Sequence, residues 1–260
     1  LALPLPKAEN EMWGGNLGMR YRINQNWSVG GQVGYAEATL DQTLSIFGFS
    51  ALLAQSDIEM WSVSPFVSYQ MPEIFPGADL LVDFLYSYGD QEYDSGILPG
   101  LFPGLINLDA EGNTNTFDLN GSLVMKAGAV RHGPFLGVRY IDGEVDPATL
   151  TVGMATVPLI GSGYDFESLV STLGYQASYV VDGDAGALVP QIRVAWEHEF
   201  EDDFTPIAGL PVGVDEDAFV IGAGLGWYAD SGWNLVFDYE GRWSDNYESH
   251  LFGLKAGVTF

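Results

Sequence analysis

The sequence predicts an all-β protein, an antiparallel transmembrane β-barrel with about eleven visible strands. Three observations lead to this prediction. Apolar and polar residues alternate within segments of about 10–14 residues, and short and long connections alternate between these segments. Only 17% of the residues are charged, although the chain contains 33 glycines and 13% aromatic residues. Soluble domains average about 25% charged residues, so this composition suits a surface that faces lipid.

The last segment, YESHLFGLKAGVTF at 247–260, shows the alternation most clearly. One predicted face carries Phe252, Leu254, Ala256, Val258 and Phe260, and the opposite face carries Gly253, Lys255, Gly257 and Thr259. An apolar outside and a polar inside are typical of a barrel strand in lipid, although a half-buried soluble sheet has the same period. We interpret the apolar face that ends on Phe260 as a signal for membrane assembly.

Ten further segments precede this one. Residues 1–10 contain Pro4 and Pro6, which indicate an extended arm, and residues 11–260 are predicted to form the barrel. The predicted strands are 11–23, 27–40, 57–70, 79–92, 113–126, 134–146, 163–180, 188–201, 214–229, 233–243 and 247–260.

The connections between these strands differ in length at the two ends. The short ones are 24–26, 71–78, 126–133, 182–187 and 230–232, and the long ones are 41–56, 93–112, 147–162 and 202–213. Outer-membrane barrels have short periplasmic turns and long extracellular loops. The long loops are also apolar, so we expect them to converge over the outer mouth, where they shield one another or hold a partner.

Tryptophans are concentrated near strand ends, where interfacial aromatic girdles lie in membrane barrels. Three are expected at the short-turn end and three at the long-loop end; in that order they are Trp27, Trp227, Trp233, Trp13, Trp61 and Trp243. Each one alone would also fit a buried core.

The charged residues within the strands are predicted to face the barrel interior. They are Arg20, Arg22, Asp83, Asp118, Lys126, Arg139, Arg193, Glu197, Asp238, Glu240, Arg242 and Lys255. This lining is consistent with a hydrated channel that a polypeptide can pass. It is equally consistent with a ladder of ion pairs that fills and braces the barrel, because an unpaired charge in the interior is costly.

Composition and motifs exclude several classes of function. The formal net charge of −26, with nine lysines and arginines, argues against nucleic-acid binding. The chain has no cysteine, no G-x-S-x-G motif and no second histidine at zinc-binding spacing near His198. We therefore expect no metal, no cofactor and no enzymatic activity, although a cross-strand hydrolase site remains an alternative.

Three stretches together resemble the carboxy-terminal β-barrel domain of autotransporters. They are VGGQVGYAEATLD at 29–41, YDFESLVSTLGYQASYV at 164–180 followed by PQIRVAWEHEFEDD at 190–203, and the whole segment 217–260. The resemblance implies a twelve-stranded barrel that tethers an amino-terminal passenger at the cell surface and is inserted by the outer-membrane assembly machinery. It also implies a first strand and a pore-spanning helix, and neither is visible before residue 11.

The resulting prediction is a translocator and anchor in a Gram-negative outer membrane, with extracellular long loops. Its expected partners are the lipid bilayer with lipopolysaccharide, the assembly machinery, and a passenger or partner chain at the outer mouth. The alternative is a structural or channel barrel that a partner chain completes or plugs. Eleven antiparallel strands leave the first and last strands parallel, so we expect a further strand between them, from upstream sequence or from another chain.

Overall fold

The protein forms one antiparallel β-sheet with eleven long strands in sequence order around a curled half-barrel. The computed structural model describes residues 7–46, 49–97, 99, 104–159, 163–200, 216–245 and 248–258. The long strands are β1 (Lys7–Arg22), β2 (Trp27–Ile46), β3 (Phe49–Phe75), β4 (Ala78–Ile97), β5 (Ile106–Ala127), β6 (Val130–Val145), β9 (Tyr164–Tyr179), β11 (Gly186–Glu199), β12 (Asp217–Ala229), β13 (Trp233–Trp243) and β14 (Glu248–Val258). The described residues also contain three short strands: β7 (Thr149–Val152), β8 (Ala155–Pro158) and β10 (Val181–Gly183).

Tight turns close the hairpins at one end of the sheet. The Asn24 side-chain oxygen accepts hydrogen bonds from the backbone N–H groups of Asn26 and Trp27, at 2.8 and 2.9 Å. Gly77 and Gly128 have φ angles of 76° and 64°, which a residue with a Cβ atom rarely adopts. These turns hold each hairpin in register, so successive strands pair without crossovers.

At the other end, strands continue through segments that the sequence analysis assigns to loops. Pairing between β2 and β3 reaches Ile46 and Phe49, and pairing between β4 and β5 reaches Gly96 and Asn107. The prediction of loops at 41–56 and 93–112 is therefore wrong for most of these residues. A register shift after Gln42 interrupts the alternation on which the strand prediction depends.

The predictions for the other two long connections, 147–162 and 202–213, have different outcomes. Within 147–162, β7 and β8 form a hairpin, and β7 pairs with the upper end of β5. The predicted loop 202–213 lies outside the described residues. The expected convergence of the four loops thus stays a prediction.

Each strand has one apolar side and one polar side. The register places the apolar sides of neighbouring strands on one face of the sheet and their polar sides on the other. We call the side with Val33, Val63 and Phe237 the apolar face and the side with Arg193, Glu197 and Arg242 the polar face. The polar face is concave, because side chains of β11 and β13 meet there across β12. Many large apolar side chains on the other face are exposed, including Leu254 at 70%.

The two outer strands of the sheet run in the same direction. β1 ends at the short turn after Arg22, and β14 begins at the opposite end after residue 247. No pairing joins β1 to β14 in the described part of the chain. The predicted arm also needs correction, because Lys7 already pairs with Thr43 and residues 7–10 belong to β1. These residues follow both prolines, so their N–H groups are available for the sheet.

Candidate functional site: the concave polar face

The predicted interior charges share one face of the sheet. Directly paired residues of neighbouring strands lie on the same face, so the register fixes each position. It places on the polar face Arg20, Arg22, Asp83, Asp118, Lys126, Arg139, Arg193, Glu197, Asp238, Glu240, Arg242 and Lys255. Their role as the lining of a lumen stays a prediction.

Around β12, two ion pairs join strands that are not neighbours. Arg193 on β11 pairs with Glu240 on β13, and Arg242 on β13 pairs with Glu197 on β11. Gln191 on β11 also donates to Asp238 on β13 at 3.2 Å, and Asp238 accepts a bond from Lys255 at 2.9 Å. Both ion pairs join residues predicted to face the interior, and together these contacts form a polar network over β12.

Glycines on β12 make room for this network. A Cβ atom on Gly222 would lie 2.5 Å from both Cγ and Nε of Arg193. A Cβ atom on Gly224 would lie 3.0 Å from a carboxylate oxygen of Asp238. Only residues without a side chain allow the arginine and the acids to lie flat across the strand.

A second charged cluster lies at the short-turn end. Asp79 is 5% exposed, and its carboxylate contacts the Lys126 ammonium at 2.7 Å and accepts the Glu73 backbone N–H at 3.0 Å. Arg131 lies on the same face, directly opposite Lys126. Arg131 lies in the predicted connection 126–133, because the turn between β5 and β6 is much tighter than predicted. Asp79 is not among the predicted interior charges.

The middle of the polar face contains weaker contacts. Arg139 donates to Asp118 at 3.0 Å across the β5–β6 pair. The Arg20 guanidinium lies 5.1 Å from the centre of the Phe66 ring, a cation–π contact. Arg139 is 49% exposed, so water competes with its ion pair, and the face is hydrated rather than sealed.

The apolar face carries the six predicted interfacial tryptophans, the seventh tryptophan Trp196, and the apolar side of the final strand. Trp13 and Trp61 flank Tyr35, with ring centres 6.0 and 4.7 Å from it, and Trp27 packs on Tyr69 at 4.6 Å. Register also places Trp227, Trp233 and Trp243 on this face, together with Phe252, Leu254, Ala256 and Val258. Phe260 lies outside the described residues. The girdle and the assembly signal both stay predictions.

Beyond Trp13 and Trp61 the apolar face becomes acidic. Paired carboxylates stand directly opposite one another on β3, β4 and β5: Asp57, Asp94 and Asp109 in one row, and Glu59, Glu92 and Glu111 in the next. Burial, and then Asp109 and Asp57, raise the pKa of Asp94 above its ordinary value. Within the residues that the structure describes, no group of three or more His, Asp or Glu side chains can hold a metal ion.

Two histidines on the apolar face pair with acids, His198 across the β11–β12 pair and His250 within β14. His198 lies 2.9 Å from Asp217, and His250 lies 2.9 Å from both Glu248 and the Tyr239 hydroxyl. Both histidine rings also stack on aromatic side chains, His198 on Trp196 and His250 on Tyr239, as in an aromatic interface.

A polar concave face, an apolar convex face and tight turns at one end define an outer-membrane β-barrel sheet. Among the described residues, no helix is both long and apolar enough to cross a bilayer. A family model described as "Autotransporter beta-domain" matches residues 6–240. The chain therefore belongs to the autotransporter β-domain family, whose members are outer-membrane translocators and anchors rather than enzymes.

Solved structures share the fold at low sequence identity. The translocator domain of the autotransporter NalP from Neisseria meningitidis aligns with a TM-score of 0.73 and 15% identity, over 97% of this chain and 82% of that one. The transport unit of AIDA-I from Escherichia coli gives 0.69 and 13%, over 98% and 84%. The β domain of the Bordetella autotransporter BrkA gives 0.64 and 16%, over 98% and 92%. No curated protein matches the chain.

Proposed function

We propose that this chain anchors and displays an amino-terminal passenger on the outside of a Gram-negative cell. The observation that carries this proposal is the pairing of a hydrated, charged concave face with a convex face of exposed apolar side chains. Such a sheet needs lipid on one side and water on the other. The family assignment supports the same function.

In this function, the charged side chains of the concave face form a hydrated lining that ion pairs between strands hold in place. The ion pairs across β12 use most of the charge on β11 and β13, which leaves a polar surface without a strong net attraction for either sign. An extended polypeptide can slide along such a surface without being trapped. We infer no covalent chemistry in this lining.

The free edges of β1 and β14 call for one further strand. Backbone groups that face lipid without partners cost several kcal/mol each, so a half-barrel does not persist in a bilayer. Because β1 and β14 run the same way, the closing strand runs from the short-turn end to the long-loop end. Upstream sequence or a partner chain supplies it; the second source would make this chain a structural or channel barrel.

The partners follow from the same orientation. The apolar face contacts the bilayer and lipopolysaccharide, the aromatic residues lie at its borders, and the assembly machinery inserts the barrel. The long-loop end is extracellular and faces the passenger. The short turns are periplasmic.

Epitope insertion in the full-length protein tests this proposal. An epitope between Gly153 and Met154, at the tip of the β7–β8 hairpin where Met154 is fully exposed, should bind antibody on intact cells. The matched insertion between Gly128 and Ala129, in a turn at the other end, should bind only after the outer membrane is opened. The reverse pattern of antibody binding would contradict the proposed orientation. Recovery of both insertion variants in the soluble fraction would contradict the proposal that the chain is a membrane anchor.

A further inference from the structure

The nine lysines and arginines are distributed unequally between the two faces of the sheet. Lys7 follows the alternation of β1 onto the apolar face, and the register places the other eight on the polar face. Although the chain has a formal net charge of −26, its cations are thus concentrated on the concave side.

Arg131 differs from most of these cations because it takes part in none of the ion pairs that the described residues form. Asp79 is close enough to interact with Arg131, but its carboxylate already binds Lys126 and the backbone N–H of Glu73. Lys126 also stands directly opposite Arg131, so two like charges are adjacent. One positive charge at this end of the sheet is therefore not balanced by an acid in contact with it.

A cleft of about 180 Å³ opens beside Arg131, and we call it the Arg131 cleft. Ser178 on β9 stands directly opposite both Arg131 on β6 and Gln191 on β11. Gln176, also on β9, stands opposite Arg193 on β11. These side chains therefore share the concave face. The polar-face residues that line the cleft include Arg131, Gln176, Ser178, Gln191, Arg193 and Asp238.

The Arg131 cleft repeats the arrangement over β12 without an acid on one flank. Over β12, Arg193 on one side meets Glu240 on the other. Over β9, both flanking strands carry an arginine, and these strands lie about 10 Å apart at about 4.8 Å per step. Asp238 lines the cleft but already accepts hydrogen bonds from Gln191 and Lys255. A negatively charged group in the cleft would supply the counterpart that Arg131 lacks.

We propose that the Arg131 cleft binds a carboxylate group carried by the polypeptide that occupies the barrel. A guanidinium presents parallel N–H donors that match the two oxygens of a carboxylate, and the Gln176 amide and the Ser178 hydroxyl add neutral donors beside it. The cleft is much larger than a single water requires, so a carboxylate side chain fits. The presence of a polypeptide rests on the proposed function, whereas the preference for a carboxylate does not.

The consequence for function is a preference among the segments that enter the barrel. An acidic segment would rest against β6–β11 at the short-turn end longer than a basic segment would. Arg131 is exposed, so water competes for its guanidinium, and binding is weak and rapidly reversed. Such a site does not trap a passing chain.

Charge-selective labelling of the full-length protein tests the proposal, because the chain has no native cysteine. In membranes, Ser178→Cys is modified with two methanethiosulfonates, one carrying a sulfonate and the other a trimethylammonium group. The measurement is the ratio of the anionic to the cationic rate. Arg131→Gln should lower this ratio about tenfold, because it removes a positive charge about 5 Å away across the β6–β9 pair. Arg131→Lys, which keeps the charge, should stay within about twofold of the original ratio.

Arg139→Gln is the matched control, because it removes the same charge from the same face of the same strand. Arg139 stands opposite Val170 on β9, about 26 Å from Ser178 at about 3.3 Å per residue. This distance is more than two Debye lengths, so the ratio at Ser178→Cys should not change. Equal ratios with Arg131 and with Arg131→Gln would overturn the proposal.

Peptide competition identifies the source of the carboxylate. Hexaglutamate should slow the labelling of Ser178→Cys by uncharged N-ethylmaleimide several-fold, and hexalysine should not. Arg131→Gln should abolish the protection. Protection by glutarate equal to that by hexaglutamate, at the same carboxylate concentration, would assign the cleft to small anions and overturn a polypeptide as its ligand.

The competition requires no change at Arg131, so it remains decisive if Arg131→Gln does not fold. Absence of protection by hexaglutamate, or equal protection by hexalysine, would overturn the proposal. If both labelling tests fail while the Gly153–Met154 epitope stays accessible on cells, the proposed function stands without this inference.

Discussion

Arg193 and Glu240 form an ion pair although a complete strand, β12, lies between their own strands. The arginine crosses above Gly222, and Arg242 makes the reciprocal contact with Glu197 one step further along. Opposite charges on β11 and β13 attract each other over the glycines of β12. This attraction draws β11 and β13 together on the concave side of the sheet. The network thus couples charge pairing to the curvature that a closed barrel requires.

Gly222→Ala should weaken this coupling. The new Cβ atom would lie 2.5 Å from Cγ and Nε of Arg193, so the arginine must leave its position over β12. Overpacking of this kind costs roughly 1–3 kcal/mol, and we expect about 1 kcal/mol because Arg193 is half exposed and can move. The measurement is the midpoint of heat-modifiable mobility in detergent, which should fall by several degrees.

Gly253→Ala is the matched control on the same face. There the new Cβ atom would lie 3.8 Å from Cβ of Asp238, an ordinary van der Waals distance. Its midpoint should stay within about one degree of the wild type, because small surface changes cost less than about 0.5 kcal/mol. Equal losses in both variants would show that any side chain on the polar face is harmful and that the contact with Arg193 is not special.

The alternation of side chains was enough to predict the fold and the faces. It depends only on local geometry, so the inward direction expected for Arg193 and Arg242 needed no knowledge of neighbouring strands. The partners of these residues depend on register and curvature, which arise only when eleven strands assemble. The tight turn at Gly128 likewise moved Arg131 from a predicted loop to the polar face.

The upper parts of the hairpins could not be predicted for a different physical reason. The reversal of polarity begins before the register shift at Gln42: Glu37 and Glu59 stand directly opposite each other on the face that carries Val33 and Val63. A pattern that expects apolar residues on the convex face therefore fails in these upper segments. These segments are predicted as loops, although most of their described residues pair with a neighbouring strand.

Asp94→Asn should stabilise the upper β3–β5 sheet near neutral pH. Burial, Asp109 and Asp57 raise the pKa of Asp94 in the folded protein, so the folded state binds its proton more tightly than the unfolded state does. Stability is therefore gained as pH falls through the raised pKa and is lost as pH rises above it. The variant should have the higher unfolding midpoint at pH 7, and the difference should vanish below about pH 4.

Asp230→Asn, in an exposed turn, is the control for loss of one negative charge. It should change the midpoint little at either pH. Added salt should reduce the advantage of Asp94→Asn, since screening weakens repulsion between the paired carboxylates. A wild-type protein that is more stable than Asp94→Asn at pH 7 would contradict the argument and would indicate that the acidic rows bind a stabilising cation.

Phe260→Asp should impair insertion into the membrane. The apolar side of β14 continues through Phe252, Leu254 and Val258, and by the alternation Phe260 extends it. A charge there would face lipid or the assembly machinery. The folded, heat-modifiable form in membranes should decrease several-fold, whereas Thr259→Asp, on the opposite predicted face, should have a much smaller effect. Unchanged yield and mobility of Phe260→Asp would contradict this prediction.

The last prediction is that β1 and β14 do not touch in the mature barrel, because a further strand separates them. Leu17 pairs with Val33 across β1 and β2, and Phe237 pairs with Leu254 across β13 and β14. Cysteines at either of these pairs should cross-link readily in membranes. Leu17→Cys combined with cysteines at 250, 252, 254 or 256 should not, since an intervening strand keeps the backbones about 9–10 Å apart, twice the strand spacing. Cross-linking at any of these four positions would mean that the barrel closes on eleven strands, with β1 parallel to β14.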